Sequence, residues 1–267
     1  MTAPLGRRGA RITARERYGA YVVLRCADAD GPTPAAGQFY MLSCAAGWGG
    51  GEGERPFLPR AFSVLRACPA SAPLELEFLV EDVGPGTRRL SELLPGEELL
   101  LTGPFGAGFR PPHRGRRPLL VGGGVGLAPL AIWQDQLGPD TTALLGFRDA
   151  MHAPGAELMS APRVATEDGS AGHRGLVTEL LAAELEADPQ AEVYACGPPA
   201  MLEAIRALCA ELELPAQLAL ESGMACGFGA CFGCVVPTRE GYVRLCLEGP
   251  VLDAHLLETA AVAGAGH

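Results

Sequence analysis

Four cysteines close to the carboxyl terminus have the residue type and the spacing of ligands for an iron–sulfur cluster. Successive members are separated by four, two and eleven residues: Cys226, Cys231, Cys234 and Cys246. A 2Fe–2S cluster is bound by four cysteine thiolates, and this spacing is that of plant-type sites. Three glycines are interspersed among them and allow the tight turns that direct backbone N–H groups at cluster sulfurs: Gly227, Gly229 and Gly233. The sequence therefore predicts a 2Fe–2S site with these four cysteines as metal ligands.

Two other interpretations of these cysteines remain open at this point. Four cysteines also bind structural zinc, although zinc ligands usually come as two short pairs, whereas three of these lie in a single loop. Cysteine is also a common small core residue. The core interpretation is preferred for the cysteines that show no ligand spacing: Cys26, Cys44, Cys68 and Cys209.

A glycine-rich stretch, VGGGVGLAPL at residues 121–130, connects a predicted strand to a predicted helix. Free backbone N–H groups and the helix dipole at such a junction favour a pyrophosphate. The candidate nucleotide-binding residues are Gly122, Gly123, Gly124 and Gly126. The stretch does not match G-x-G-x-x-G, because Leu127 occupies the sixth position, and it lacks the lysine of a phosphate-binding NTPase loop. A tight turn that packs the helix on the strand is the alternative.

A second turn of the same kind supports the nucleotide interpretation. Another predicted strand ends, and another helix begins, at Cys196, Gly197 and Pro198. Ligands of open parallel sheets bind beyond the carboxyl ends of the strands, which is where both turns would lie. We therefore predict a nicotinamide-nucleotide site with Cys196 as a possible neighbour of the nicotinamide ring, a buried core thiol being the alternative. No residue is assigned as a catalytic acid or base.

The two predicted sites require a third cofactor between them. A nicotinamide exchanges two electrons at once and an iron–sulfur cluster exchanges one, so a flavin, which does both, is the usual intermediary. Its candidate ligands lie in the first hundred residues. One strand combines a cation, an aromatic ring and a hydroxyl: Arg60, Ala61, Phe62 and Ser63. The sequence GPGT at residues 84–87 begins a helix with backbone donors and a hydroxyl that suit a phosphate.

The elements that must position these residues change character along the chain. Residues 21–26, 38–43, 61–66, 74–80 and 98–102 have the pattern of short strands, with one helix at 87–94, which predicts a small antiparallel barrel. From residue 117 strands and helices alternate, which predicts a parallel sheet with crossover helices. The tail from residue 221 is too irregular to belong to that sheet.

Three domains follow from this division. Residues 1–110 are predicted to form an N-terminal antiparallel β-barrel that binds FAD. Residues 111–218 are predicted to form an α/β parallel-sheet nucleotide domain that binds NAD. Residues 219–267 are predicted to form a small C-terminal iron–sulfur subdomain.

Composition and charge exclude several functional classes. The net charge of −10, from 21 basic and 31 acidic residues, argues against nucleic-acid binding, which needs clustered cations. No uncharged run reaches the roughly 18 residues of a membrane span. The arginines near the N-terminus are not followed by an apolar run, so no signal peptide is predicted and we expect a cytoplasmic protein without disulfides.

The motifs together resemble the ferredoxin–NADP reductase superfamily. The resemblance rests on RAFS at 60–63, GPGT at 84–87, the glycine-rich stretch and CGP at 196–198. With the four cysteines and ESGMACG at 221–227, the chain is similar in particular to the electron-transfer subunits of type B dihydroorotate dehydrogenases. The similarity extends from about residue 11 to residue 255. It departs from that family at Glu81, where a basic residue is frequent, and at the glycine-rich insert of residues 47–53.

The resemblance implies a cofactor and partner arrangement. The barrel would hold FAD, the middle domain NAD, and the cluster would face a separate FMN-containing catalytic subunit, in a heterotetramer with two copies of each chain. Residues 60–63 would contact the flavin and its phosphates. The adenine–ribose side would lie against Leu79, Val80 and Glu81, and the pyrophosphate against Gly86 and Thr87. The implied function is to pass electrons from dihydroorotate oxidation on the partner through the cluster and FAD to NAD+, in de novo pyrimidine (UMP) biosynthesis.

Two alternatives to this function remain. One is a reductase subunit of another flavoprotein complex, of the ferredoxin–NAD(P) reductase or sulfide dehydrogenase type. The other is a zinc-stabilised nucleotide-binding regulator without a redox role. The choice of NAD over NADP rests on the resemblance, because Arg148 would favour a 2′-phosphate while the adjacent Asp149 would repel one.

Overall fold

The structure, a computed structural model, describes residues 6–49 and 55–262, so part of the insert at 47–53 lies outside the described residues. The N-terminal part is a closed antiparallel barrel with strand order β1-β2-β5-β4-β3-β6, as predicted. Its strands are β1 (Arg8–Tyr18), β2 (Tyr21–Asp28), β3 (Phe39–Cys44), β4 (Arg60–Cys68), β5 (Leu74–Glu81) and β6 (Glu98–Phe105). The sequence-based prediction missed β1. Only two of its residues, Ala10 and Ile12, are apolar and fully buried, while its second half carries charged side chains.

One helix, α1 (Pro85–Ser91), follows β5 and packs Leu90 into the barrel core. It begins two residues before the predicted start. Proline is tolerated in a first helical turn because the N–H group that it lacks would be unpaired there in any case.

The second unit combines parallel strands with helices, as predicted, although no α-helix among the residues that the structure describes separates its second, third and fourth strands. Its elements are β7 (Arg117–Gly123), α2 (Leu127–Leu137), β8 (Thr142–Phe147), β9 (Arg163–Thr166), β10 (His173–Arg174), α3 (Val177–Ala187), β11 (Ala191–Cys196), α4 (Pro199–Glu211) and β12 (Ala216–Ala219). These strands pair in parallel in the order β10-β9-β8-β7-β11-β12. The centres of β7, β8 and β11 are apolar and buried, as expected for a sheet covered on both faces.

The strand register brings the predicted turns together. Gly122 on β7 lies opposite Cys196 on β11, and Cys196 lies opposite Ala219 on β12. The glycine-rich turn, the Cys-Gly-Pro turn and the segment that follows β12 therefore leave the sheet side by side at its carboxyl edge.

The C-terminal segment adds β13 (Val235–Thr238) and β14 (Gly241–Arg244), which form a hairpin, and β15 (Val251–Asp253). The strand β15 pairs antiparallel with β12 at the edge of the large sheet. The expectation that no part of the tail belongs to the sheet is therefore wrong. Three residues are too short a strand to show a pattern, yet Val251 and Leu252 are buried there.

Within the described parts of the chain, no helix has the length and apolar character needed to cross a membrane.

Candidate functional site

A cavity of about 440 Å³ lies where the barrel, the carboxyl edge of the sheet and the C-terminal segment meet. This volume is in the range of small-molecule sites, about 300–1,000 Å³. We refer to it as the junction cavity. The residues predicted for the flavin that line it are Arg60, Ala61, Phe62, Ser63, Leu79, Glu81 and Thr87, and those predicted for the nicotinamide nucleotide are Gly126 and Cys196. The fold thus brings both predicted sets to one place.

The other predicted residues lie outside the cavity wall. Val80 is fully buried in the barrel core, so its side chain does not face the cavity. The remainder lie close by, in α1 and in the two turns at the sheet edge: Gly86, Gly122, Gly123, Gly124, Gly197 and Pro198.

On the barrel side, Arg60 is held in place by its surroundings. Its guanidinium lies over the ring of Trp48, 5.9 Å from the centroid, and donates to the carbonyl oxygen of Leu58 at 2.6 Å. A Cβ atom at Gly86 would come within 2.9 Å of Nε of Arg60, so the glycine allows the cation to approach α1. This places a positive charge on the cavity wall, where it suits a phosphate or an electron-rich ring edge.

The hydroxyl of Thr87 is used by its own turn. Its Oγ1 accepts a hydrogen bond from N–H of Val83 at 2.9 Å and donates to the carbonyl oxygen of Gly84 at 3.1 Å. The turn before α1 is therefore rigid, and it presents Thr87 to the cavity in a fixed orientation.

Glu81 joins the barrel to the sheet unit. Its Oε1 accepts a hydrogen bond from Arg148 at 2.7 Å and lies 3.1 Å from Nε2 of His152. Arg148, considered above as a possible partner of a 2′-phosphate, is thus engaged by a carboxylate of the barrel. Glu81 therefore supplies a contact between the barrel and the sheet unit.

Packing accounts for most glycines of the glycine-rich turn. A Cβ atom at Gly122 would lie 2.8 Å from Leu145, and one at Gly123 would lie 2.7 Å from Met201. Gly126, just before α2, would clash with the backbone of Cys196 and Gly197. Gly124 differs because it has φ +53° and because a Cβ atom there would make only an ordinary contact, 3.7 Å from the hydroxyl oxygen of Tyr21. The alternative of a packing turn therefore explains three of these glycines by itself, and their role in nucleotide binding stays a prediction.

Cys196 is buried at the carboxyl end of β11 and lines the junction cavity. Burial, reinforced by the nearby charge of Glu221, raises the pKa of its thiol well above the ordinary value. The residue is therefore a neutral thiol at physiological pH, suited to contact a ring and not to act as a nucleophile.

Sequence reasoning did not select the segment after β12 as part of the site. Leu220, Glu221, Ser222, Gly223 and Met224 all line the junction cavity. The signal that could have identified them is their position directly beyond the carboxyl end of a strand of the sheet. Cys226 follows two residues later, so this segment connects the cavity to the cysteine cluster.

The hairpin β13–β14 brings two of the four cysteines together. Cys234 precedes β13 and Cys246 follows β14, and their Sγ atoms are 3.2 Å apart in the interior. Cys231 is exposed and Cys226 is half-buried. The positive φ angles of Gly227 (+80°) and Gly229 (+84°) confirm the tight turns predicted for the loop, whereas the third such residue there is Phe232 (φ +59°) and not Gly233.

Backbone donors converge on the cysteine loop as an iron–sulfur site requires. Burial tends to raise the pKa of the Cys226 thiol. Hydrogen bonds from Cys231 and from the backbone N–H groups of Phe228 and Ala230 outweigh this effect and lower the pKa to about 7. The N–H group of Gly233 donates to Sγ of Cys231 at 3.5 Å. Hydrogen bonds of this kind to the sulfurs of Cys226 and Cys231 are ones that cluster ligands accept.

Among the described residues, no group of three or more histidine, cysteine or acidic side chains is arranged to hold a metal ion. The assignment of the four cysteines as cluster ligands stays a prediction. Of the cysteines predicted to be core residues, Cys26, Cys44 and Cys209 are buried, but Cys68 is exposed at the end of β4, so its core assignment is wrong.

Comparison with known proteins agrees with this geometry. Residues 221–258 match the sequence model of the iron–sulfur cluster binding domain of dihydroorotate dehydrogenase B. The NAD(+)-linked dihydroorotate dehydrogenase B electron transfer subunit of Caldanaerobacter subterraneus subsp. tengcongensis is 35% identical over 252 residues, which cover 92% of this chain and 96% of that protein. Its counterpart from Geobacillus sp. is 38% identical over 210 residues, 74% of this chain and 79% of that protein.

Solved structures show the same fold at low sequence identity. An NADH-dependent reduced ferredoxin–NADP oxidoreductase superposes with a TM-score of 0.77 at 23% identity, covering 94% of this chain and 90% of that chain. The ferredoxin reductase of carbazole 1,9a-dioxygenase gives a TM-score of 0.62 at 24% identity, covering 79% and 66%. On the strength of the curated relatives, which match it over most of its length, the chain belongs to the family of dihydroorotate dehydrogenase B (NAD+) electron transfer subunits.

Proposed function

We propose that this chain transfers electrons from dihydroorotate oxidation, carried out on an FMN-containing catalytic partner, through a 2Fe–2S cluster and FAD to NAD+. The observation that carries the proposal is the junction cavity. Its wall is built from the predicted flavin strand, from the turn that bears Cys196, and from the segment that leads into Cys226. When bound, FAD exchanges electrons in pairs with a nicotinamide and singly with an iron–sulfur cluster.

The residues of the chain provide binding and orientation. Arg60 places a fixed cation on the barrel wall, held there by Trp48 and by the absence of a side chain at Gly86. Cys196 offers an uncharged thiol on the part of the wall that the sheet unit supplies. The remaining nucleotide-binding roles predicted for the glycine-rich turn and for the Cys-Gly-Pro turn are part of this proposal, because both turns lie at the ligand-binding edge of the sheet.

The cysteine loop lies close to the same cavity. Phe39 lines the cavity, and its ring packs against that of Phe105 with centroids 5.9 Å apart. A Cβ atom at Gly227 would lie 3.3 Å from Phe105 and 2.5 Å from Met41. The loop between the first two cysteine ligands is therefore separated from the cavity by a single layer of barrel side chains, which suits electron exchange between the two.

The exposed surface of the cysteine loop has features of a protein-binding site. Phe232 is 63% exposed despite its aromatic side chain and positive φ, and Tyr242 on the hairpin is 80% exposed. Exposed aromatic residues beside an exposed ligand, Cys231, indicate a surface that another protein covers. We propose that the catalytic subunit docks there, in an assembly with two copies of each chain.

The proposal also includes the division of the chain and its location. We assign FAD to residues 1–110, NAD to 111–218 and the cluster to 219–267; the family match at 221–258 supports the last of these. The strand β15 belongs to the cluster segment by sequence and to the nucleotide sheet by pairing. We place the protein in the cytoplasm, where pyrimidine synthesis would use it.

Two measurements test the proposal. The purified chain should contain iron and acid-labile sulfide, and its visible spectrum should show both flavin and cluster bands that bleach on anaerobic addition of NADH. Mixed with the catalytic subunit, it should reduce NAD+ when dihydroorotate is added. A colourless protein that contains zinc, or a mixture with no dihydroorotate-dependent NAD+ reduction, would refute the proposal.

A further inference from the structure

The hydroxyl of Ser222 has no hydrogen-bond partner although it is removed from solvent. Ser222 lines the junction cavity three residues after β12, and its Oγ atom is buried without an acceptor or donor in the described parts of the chain. A buried hydroxyl normally finds a partner, because leaving it unpaired is costly. Because Ser222 itself lines the cavity, rotation of its side chain would bring this unpaired hydroxyl to a ligand bound there.

Two other hydroxyls, on α1, do not show this feature. Thr87, on the same wall, is engaged by Val83 and Gly84 as described above. Ser91 at the end of α1 is buried, and its Oγ donates to the carbonyl oxygen of Arg88 at 2.8 Å. The protein thus satisfies these two hydroxyls, whereas those of Tyr21 and Ser222 are buried without a partner in the part of the chain that the structure describes, and of these two residues only Ser222 lines the cavity. Rotation about χ1 is sufficient to turn a serine Oγ from one staggered position to another, including toward a ligand.

The position of Ser222 selects the flavin among possible ligands. The residue shares the cavity wall with the barrel strand of Arg60 and Ser63 and lies four residues before Cys226. A group between the barrel and the cluster ligands faces the cofactor that must exchange electrons with the cluster. The flavin ring carries carbonyl oxygens and ring nitrogens that accept hydrogen bonds.

We propose that Ser222 donates a hydrogen bond to the isoalloxazine ring of FAD. The inference rests on the proposed function, because it requires that the cavity bind a flavin. It adds a cofactor-binding residue from the C-terminal segment, so that the flavin contacts the polypeptide that carries the cluster as well as the barrel. Loss of this hydroxyl should weaken FAD binding without harming the cofactor-free fold.

The test uses the full chain with Ser222→Ala and, as a matched control, Ser91→Ala. Removal of one hydrogen bond predicts about three- to tenfold weaker FAD affinity for Ser222→Ala, measured by titrating the FAD-depleted protein. The absorption maximum of bound FAD should shift, and the melting temperature of the depleted protein should stay the same or rise. Ser91→Ala should do the opposite: it should lower the melting temperature and leave FAD affinity unchanged.

Three results would overturn the inference. The first is unchanged FAD affinity together with an unchanged flavin spectrum in Ser222→Ala. The second is a lower melting temperature of the FAD-depleted Ser222→Ala protein, which would show that the hydroxyl is satisfied within the fold. The third is a selective loss of NAD affinity, which would assign the hydroxyl to the nicotinamide. Failure of the wild-type chain to bind FAD is a separate outcome that would refute the proposed function itself.

Discussion

Replacement of Gly126 by alanine tests whether the two turns at the sheet edge need their close contact. A Cβ atom on Gly126 would lie 2.5 Å from the carbonyl carbon of Cys196 and 2.7 Å from Cα of Gly197, whereas ordinary contact begins at 3.4 Å. The carbonyl oxygen of Cys196 would be closer still, so the two turns would have to separate by about 1 Å. The obstructing atoms are backbone, so no side-chain rotation relieves the clash.

The expected cost of Gly126→Ala is therefore that of overpacking, about 2 kcal/mol of unfolding free energy, or roughly 4–8 °C in melting temperature for a chain of this size. A displacement approaching 1 Å at a reacting group lowers rates by up to about 100-fold. Because Gly126 and Cys196 both line the junction cavity, we expect NADH oxidation with an artificial electron acceptor to fall by at least about tenfold. Calorimetry and steady-state kinetics measure the two effects.

Gly138→Ala, at the other end of α2, is the matched control. Gly138 has φ +113° and nothing near its missing Cβ, so alanine there costs about 1–3 kcal/mol through backbone strain alone. It should lower the melting temperature while NADH oxidation stays at the wild-type rate. If Gly126→Ala melts and turns over like the wild type, or if both variants lose activity equally, the reasoning about the contact between the turns is wrong.

Three further predictions concern the C-terminal segment. Cys231→Ser should lose iron and acid-labile sulfide and should no longer support dihydroorotate-dependent NAD+ reduction, yet it should retain most NADH oxidation with artificial flavin acceptors. The control is Cys68→Ser, at an exposed cysteine outside the loop, which should retain the iron and sulfide and both activities. A Cys231→Ser protein that keeps its iron and its dihydroorotate-dependent activity would contradict the ligand assignment. Gly227 has φ +80°, and an added Cβ atom would lie 2.5 Å from Met41, so Gly227→Ala strains the cysteine loop. We expect this variant to hold less iron per chain, and an undiminished iron content would show that the loop tolerates the strain. A hydrogen bond from Arg206, one helical turn later, lowers the pKa of the Glu203 carboxylate to about 2. Partial burial opposes this shift, and a hydrogen bond from the backbone N–H group of Ala260 adds to it. The pKa in the folded state lies below the unfolded value of about 4.3, so this group stabilises the fold above pH 4.3 and loses that effect as the pH falls toward 2. Glu203→Gln should therefore remove this part of the acid dependence of the melting temperature. If the dependence of melting temperature on pH is unchanged in this variant, the role given to Glu203 is wrong.

Local pattern was sufficient to predict most secondary structure and the chemistry of the cysteine loop. Strands and helices occur beyond residue 117 as predicted, and a helix follows the glycine-rich stretch, because hydrophobic pattern and turn residues are properties of neighbouring positions. The spacing of the four cysteines likewise predicts a cluster site, and the family match at residues 221–258 agrees with it. The strand β1 was missed because its charged second half lacks an apolar face, and its position is fixed by pairing with β2 and β6.

What the sequence could not determine is which distant residues meet. The junction cavity exists because Gly122, Cys196 and Ala219 occupy one line across the sheet, a register that follows from the pairing of strands far apart in the chain. The same holds for the contact of Glu81 with Arg148 and for the approach of Cys234 to Cys246 through the hairpin. Sequence specifies the chemical groups and the local elements, because these depend on adjacent residues. Only tertiary packing, which is set by burial of apolar surface between remote segments, decides that Ser222 lines the same cavity as Arg60 and that the cysteine loop packs against Met41 and Phe105 of the barrel.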